Sequence, residues 1–195
     1  MADRAEPLAA LQDRIDAAGF AGTVLETVPF LAQVDLRVDP DGAAATRVAD
    51  ALGLPLPEAN RVSEAGGRRA LWLAPDEWLV VAVDGEERSL VALLEDAVAG
   101  EGSVVDLSAN RTGLRLAGPT AREVLATCCS LDLHPRVFGP GQCAQTLIHK
   151  AGVLIEQRAD DDYLLLVRPS FAAYVAEWLL DGMAGLAADH AAATA

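Results

Sequence analysis

The sequence predicts an α+β fold: a split βαβ (ferredoxin-like) core, extended by a hairpin and closed by a C-terminal helix. Three observations predict it. From Glu77 onward the chain reads strand, helix, strand, strand, helix, strand, the order of two interleaved βαβ units. The predicted strands are short apolar or alternating runs bounded by turn residues, and the predicted helices show three-and-four spacing. At 195 residues and 52% apolar content, the chain suffices for one domain, or two tightly fused halves, with a sizeable core.

The elements follow in order. Residues 1–18 read as a short amphipathic helix with Leu8, Leu11 and Ile15 on one face and Gly19 as its stop. "FLAQVDLRV" alternates through Phe30, Ala32, Val34, Leu36 and Val38, a strand pattern. "DGAAATRVADALG" is a helix closed by Gly53, and residues 54–67 read as a loop. "RRALWLA" and "EWLVVAV" form a hairpin turning at Ala74, Pro75 and Asp76, where proline presets φ. "EERSLVALLEDAVAG" is a helix with Leu90, Leu93, Leu94 and Val98 inward, followed by strands "SVVDLS" and "TGLRLAG". "GPTAREVLATCC" is a helix in which Thr120 and Glu123 have capping-box spacing. Three strands, "CAQTLIH", "GVLIEQR" and "DYLLLV", lead to the closing helix. There Ser170 is the expected cap and Phe171, Tyr174, Val175 and Trp178 the expected inward stripe. The segments read as an N-terminal helix and lead-in (1–24), a main domain (25–186) and a disordered tail (187–195).

Charge narrows the function. Lys and Arg total 15 against 29 Asp and Glu, a formal charge of −14, which repels phosphate backbones and argues against nucleic-acid binding. No apolar run approaches the roughly 20 residues of a membrane helix, and the N-terminus lacks a signal-peptide pattern, so a cytoplasmic location is expected. Cys128, Cys129 and Cys143 form no disulfide framework or metal spacing and read as buried, reduced thiols.

Self-sufficient chemistry is hard to find. Trp72 and Trp78 flank Asp76 and Glu77, which suggests either a ligand surface or a buried hairpin turn. Adjacent strand residues face opposite ways, which disfavours the two carboxylates as an acid/base pair. His134, His149 and His190 lack metal-ligand spacing, and no G-x-S-x-G elbow or dinucleotide fingerprint is present. "GPT" at Gly118–Thr120 opens a helix whose amides suit an anion, but the capping-box spacing gives those amides a structural use.

Two sets of residues carry a resemblance. "DLSANRTGLRLAGPTAREVLATCCSLDLHP", Asp106 to Pro135, is similar to the aminomethyltransferase (glycine-cleavage T-protein) superfamily, with Asp106, Ser108, Gly118, Pro119, Ala121 and Leu125 on its pattern. "RALWLAPDEWLVV", "LDLHPRVFGPGQCAQTLIHKAGVLIEQ" and "YLLLVRPSFAAYVAEWL" resemble the gamma-subunit family of heterotetrameric sarcosine oxidase, from about Leu25 to Leu186. The resemblance implies a fold related to aminomethyltransferase folate-binding domains. Folate-using members carry an acidic pair after a glycine pair; here Val153, Leu154 and Ile155 stand in its place, with Glu156 out of register. Folate binding and catalysis are therefore not carried over.

What the resemblance implies is a non-catalytic accessory subunit of an oxidoreductase complex. That complex converts sarcosine to glycine, releasing hydrogen peroxide and formaldehyde or methylenetetrahydrofolate. FAD, FMN, NAD, tetrahydrofolate and zinc are implied on other subunits and none on this chain, with alpha, beta and delta subunits as partners. Arg111 and His134, polar residues beside the matched boxes, are the candidate partner contacts. The competing expectation is a stand-alone folate-binding module or degenerate one-carbon transferase.

Overall fold

The computed structural model describes residues 4–193. In chain order it contains a 3₁₀ turn (Ala9–Leu11), α1 (Gln12–Ala17), β1 (Val24–Val28), β2 (Ala32–Val38), α2 (Ala43–Leu52), β3 (Val62–Ala65), β4 (Arg68–Ala74) and β5 (Glu77–Ala82). There follow α3 (Glu87–Val98), β6 (Gly102–Asp106), β7 (Thr112–Ala117), α4 (Ala121–Ala126), β8 (Gln142–Ile148), β9 (Ala151–Ala159), β10 (Asp162–Val167) and α5 (Pro169–Ala193). The chain divides into two compact units, one of Phe30–Asn110 and Gly141–Ala144, the other of the remainder.

The unit beginning at Phe30 holds a sheet of order β3-β4-β5-β2-β6, every pair antiparallel. Without the edge strand β3, this is the split βαβ arrangement: β2 and β4 flank β5, while β5 and β6 flank β2. The α+β class is as expected, but the interleaved core starts at Ala32, and β7 and β8 pair elsewhere. Element order alone does not specify pairing, so β2 is central although its pattern reads as an isolated strand. The register Ala32↔Ala82, Val34↔Val80, Leu36↔Trp78 sets alternate apolar residues opposite one another. All six are buried in one core with Val48 and Leu52 of α2 and Leu90, Leu94 and Val98 of α3. Gly53, at φ 70°, ends α2 in the left-handed cap that glycine adopts without strain.

The other unit holds the order β1-β7-β10-β9-β8. Arg115 on β7 lies between Glu26 on β1 and Leu164 on β10. Its guanidinium bonds Glu26 at 2.7 Å and Asp162 at 3.0 and 3.1 Å, and these carboxylates raise its already high pKa. α5 buries Ala172, Val175, Ala176, Leu179, Leu180 and Met183.

Several expectations are corrected here. Val175 of the expected stripe is inward, but the rest of the buried face of α5 is Ala172, Ala176, Leu179, Leu180 and Met183, while Phe171 remains 45% exposed and Tyr174 and Trp178 are half-buried. The rings of Phe171, Tyr174 and Trp178 instead make successive edge contacts, and His149 stacks on Trp178 at 3.5 Å. Ser170 lies inside α5, which begins at Pro169, a favoured first helical residue. Residues 187–193 are helical, as alanine's helix propensity allows, and residues 194–195 lie outside the described set. The N-terminal helix is α1 with its preceding 3₁₀ turn; residues 1–3 of the expected helix also lie outside it. The loop read over residues 54–67 contains the edge strand β3.

Thr120 does not cap α4 with its side chain. Its hydroxyl is 2.7 Å from that of Thr23, and its amide donates to Thr23 Oγ1 at 3.0 Å, so an inter-segment tie replaces the capping box. Gly118 permits that tie. At φ 119°, a Cβ there would collide with the backbone of Gly22 and Thr23.

Two substitutions test this account by thermal unfolding. Gly118→Ala is expected to cost at least about 2 kcal/mol, lowering Tm by roughly 4–8 °C, whereas Gly185→Ala, open on α5, should stabilise by about 0.5 kcal/mol. Trp78→Phe is expected to cost about 1–3 kcal/mol, because it leaves the buried-side carbonyl of Pro57 without the indole donor now 3.0 Å away.

Candidate functional site

The tryptophan hairpin is structural in detail. Trp72 and Trp78 are paired across β4 and β5, and Trp78 is 3% exposed. Glu77 bonds Arg37 at 2.5 Å, and Asp76 lies 3.7 Å from the same guanidinium. Partial burial pushes the Glu77 carboxyl up, Asp35 adds to the rise, and Arg37 opposes it. The two carboxylates share one cation at a strand end, a surface cluster rather than an acid/base pair.

The boxes of the superfamily pattern also have local work. Asp106 Oδ1 accepts from the Ser108 amide at 2.9 Å and its hydroxyl at 2.6 Å, closing the turn after β6. Ser108 Oγ in turn accepts the Gln33 amide at 3.0 Å, satisfying a donor at the start of β2. Where the superfamily's acidic pair would fall, Val153, Leu154 and Ile155 are buried in β9, and Glu156 is 3% exposed. Glu156 is thus shielded from bulk solvent.

Cys143 is fully buried, with its sulfur 3.3 Å from the Arg61 carbonyl. Cys128 is 6% exposed, and burial pushes its thiol up to about 11. No group of three or more His, Cys, Asp or Glu suited to a metal occurs among the described residues.

The two candidate partner contacts have different surroundings. His134 is exposed in the loop after α4, where its Nδ1 accepts the Arg136 amide at 3.2 Å and its own amide donates to Asp132 at 2.9 Å. It shapes a turn. Arg111 is half-buried just before β7 and lines an open pocket of about 360 Å³ with Gln145, Thr146, Leu147, Gly152, Val153, Leu154, Leu166 and Arg168. The structure does not bring His134 to this pocket. Arg168 is the residue that sequence reasoning missed. Its signal lies in pairing: Val167 opposes Thr112, and Arg168 and Arg111 are their next neighbours on the two strands, which no linear motif reveals.

Comparison with known proteins places this geometry. The model of the sarcosine oxidase gamma subunit family matches residues 37–185. The chain is 37% identical over 194 residues to the sarcosine oxidase subunit gamma of Corynebacterium sp. (strain P-1), covering 97% of this chain and 94% of that protein. It is 37% identical over 188 residues to the subunit gamma of Corynebacterium sp. (strain U-96), covering 95% and 91%. A chain of the heterotetrameric sarcosine oxidase from Corynebacterium sp. U-96, solved in complex with pyrrole 2-carboxylate, superposes with a TM-score of 0.88 at 36% identity, covering 94% of this chain and 96% of that one. Aminomethyltransferase T of the glycine cleavage system from Bartonella henselae shares the fold, with a TM-score of 0.63 at 22% identity over 89% of this chain and 49% of its own. Among the described residues, no helix is long and apolar enough to cross a membrane. Matched over most of its length in sequence and in fold, the chain belongs to the sarcosine oxidase gamma subunit family.

Proposed function

We propose that this chain is a non-catalytic accessory subunit of a heterotetrameric, flavin-dependent sarcosine oxidase acting in the cytoplasm. The observation that carries this reading is the match to a chain of an assembled oxidase over 94% of the present chain and 96% of that one. The interior supports it: the position of the superfamily's acidic pair is filled by Val153, Leu154 and Ile155, all buried. The complex oxidises sarcosine to glycine, with hydrogen peroxide and formaldehyde or methylenetetrahydrofolate as co-products. Alpha, beta and delta subunits are the partners. FAD, FMN, NAD, tetrahydrofolate and zinc belong to them, and this chain supplies surface rather than chemistry. Residues 25–186 carry that role as the gamma-like domain, with Arg111 and His134 as contacts toward the partners.

Co-expression with the other subunits from the same source tests the proposal. The expected result is a yellow complex that oxidises sarcosine, alongside a colourless and inactive lone chain; failure of the chain to join the flavoprotein subunits would overturn it. A second test concerns the thiols. With its thiol pushed up to about 11, Cys128 holds only about a thousandth of its population as thiolate at pH 8. Cys128 and Cys143 are therefore expected to stay unmodified by a disulfide reagent in the native chain and to react after denaturation. Rapid native labelling of either would point to a reactive nucleophile and against an accessory role.

A further inference from the structure

We infer that the pocket between Arg111 and Arg168 is a socket for a carboxylate presented by another subunit of the complex, an inference that rests on the accessory-subunit reading. The two arginines carry the argument. β10 and β7 pair up to Val167 and Thr112, and Arg168 and Arg111, one residue beyond on each strand, both line the pocket. Two guanidinium groups lining one pocket favour an anion between them.

The lining fits such an anion. No Asp or Glu lines the pocket, although the chain as a whole carries a formal charge of −14. Arg111 is half-buried and held by contacts inside the fold, whereas Arg168 is exposed at the end of β10 and forms no ion pair with a described residue. The exposed Arg168 guanidinium is thus placed to turn onto a ligand. Gln145 and Thr146 add neutral polar groups, while Leu147, 46% exposed, gives an apolar wall for the stem that bears the carboxylate. Gly152 keeps the pocket open: it is exposed, and a Cβ there would meet nothing within 4 Å. At about 360 Å³ the space admits a glutamate side chain or a chain terminus with neighbouring residues, in the range typical of ligand pockets. Bidentate guanidinium–carboxylate pairing supplies the geometry.

The test measures the affinity of the full chain for the assembled remaining subunits, with circular dichroism confirming that each variant folds. Arg168→Glu reverses the mobile charge at an exposed position. Gly152→Glu leaves both arginines in place and fills the socket with a carboxylate of its own. Both are expected to weaken association at least about tenfold, and the wild-type affinity is expected to fall with added salt. Arg158→Glu, exposed on β9 outside the pocket, should bind as wild type. Wild-type affinity in both Arg168→Glu and Gly152→Glu overturns the socket while leaving the accessory-subunit reading intact. In that case, a wild-type chain whose pocket amides shift in NMR on titration with sodium acetate would assign the pocket to a free carboxylate instead. A wild-type chain that does not associate at all sinks the accessory-subunit reading and the socket with it.

Discussion

A strand whose consecutive side chains are shielded from water holds an ionised carboxylate only at a cost, and β9 is shielded over five residues. From Val153 to Gln157 every residue is buried, and the neighbouring strand β10 is buried from Tyr163 to Val167. An ionised group there must be paired or neutralised, because isolated burial of a charge costs several kcal/mol. Apolar residues at 153–155 therefore have a direct consequence. They fill with apolar side chains the place where the resemblance would put an acidic pair.

The boxes that identify the chain in one dimension serve the fold in three. Gly118 lets the Gly22–Thr23 backbone approach closely, and the Thr23–Thr120 hydroxyl pair then fixes that contact. Asp106 and Ser108 close one turn and satisfy the Gln33 amide at the start of β2. The tryptophan hairpin anchors itself through the Trp78 indole on Pro57. In this chain such residues have structural roles whether or not a reaction takes place on it. Their presence marks the fold, and function must be argued from sites.

Local order was legible in the sequence to the extent that local physics decides it. Proline at the 74–76 turn, Gly53 at a helix end and the apolar alternation of Ala32, Val34, Leu36 and Val38 each specify their element without tertiary information. Pairing was not legible. β2 lies between β5 and β6, and β1 pairs with β7 some ninety positions along the chain; neither arrangement leaves a periodic trace. The inward face of α5 was misread for a related reason. Helical spacing alone does not choose between the aromatic stripe at 171, 174 and 178 and the alanine-rich stripe beside it; packing against the sheet does. Arg111 could be picked out as a polar residue beside a matched box, but its companion Arg168 appears only once the register of β7 and β10 is known.

The central proposal is that this chain, which shares the fold of an aminomethyltransferase, serves as an accessory subunit with no folate site of its own. Calorimetric titration of the full-length chain with tetrahydrofolate tests that claim most directly. The account predicts no saturable heat at any ligand concentration that leaves the chain folded. Saturable binding at one site per chain, removed by a substitution in the Asp106–Arg115 segment, would contradict it and identify a folate module in place of a purely accessory subunit.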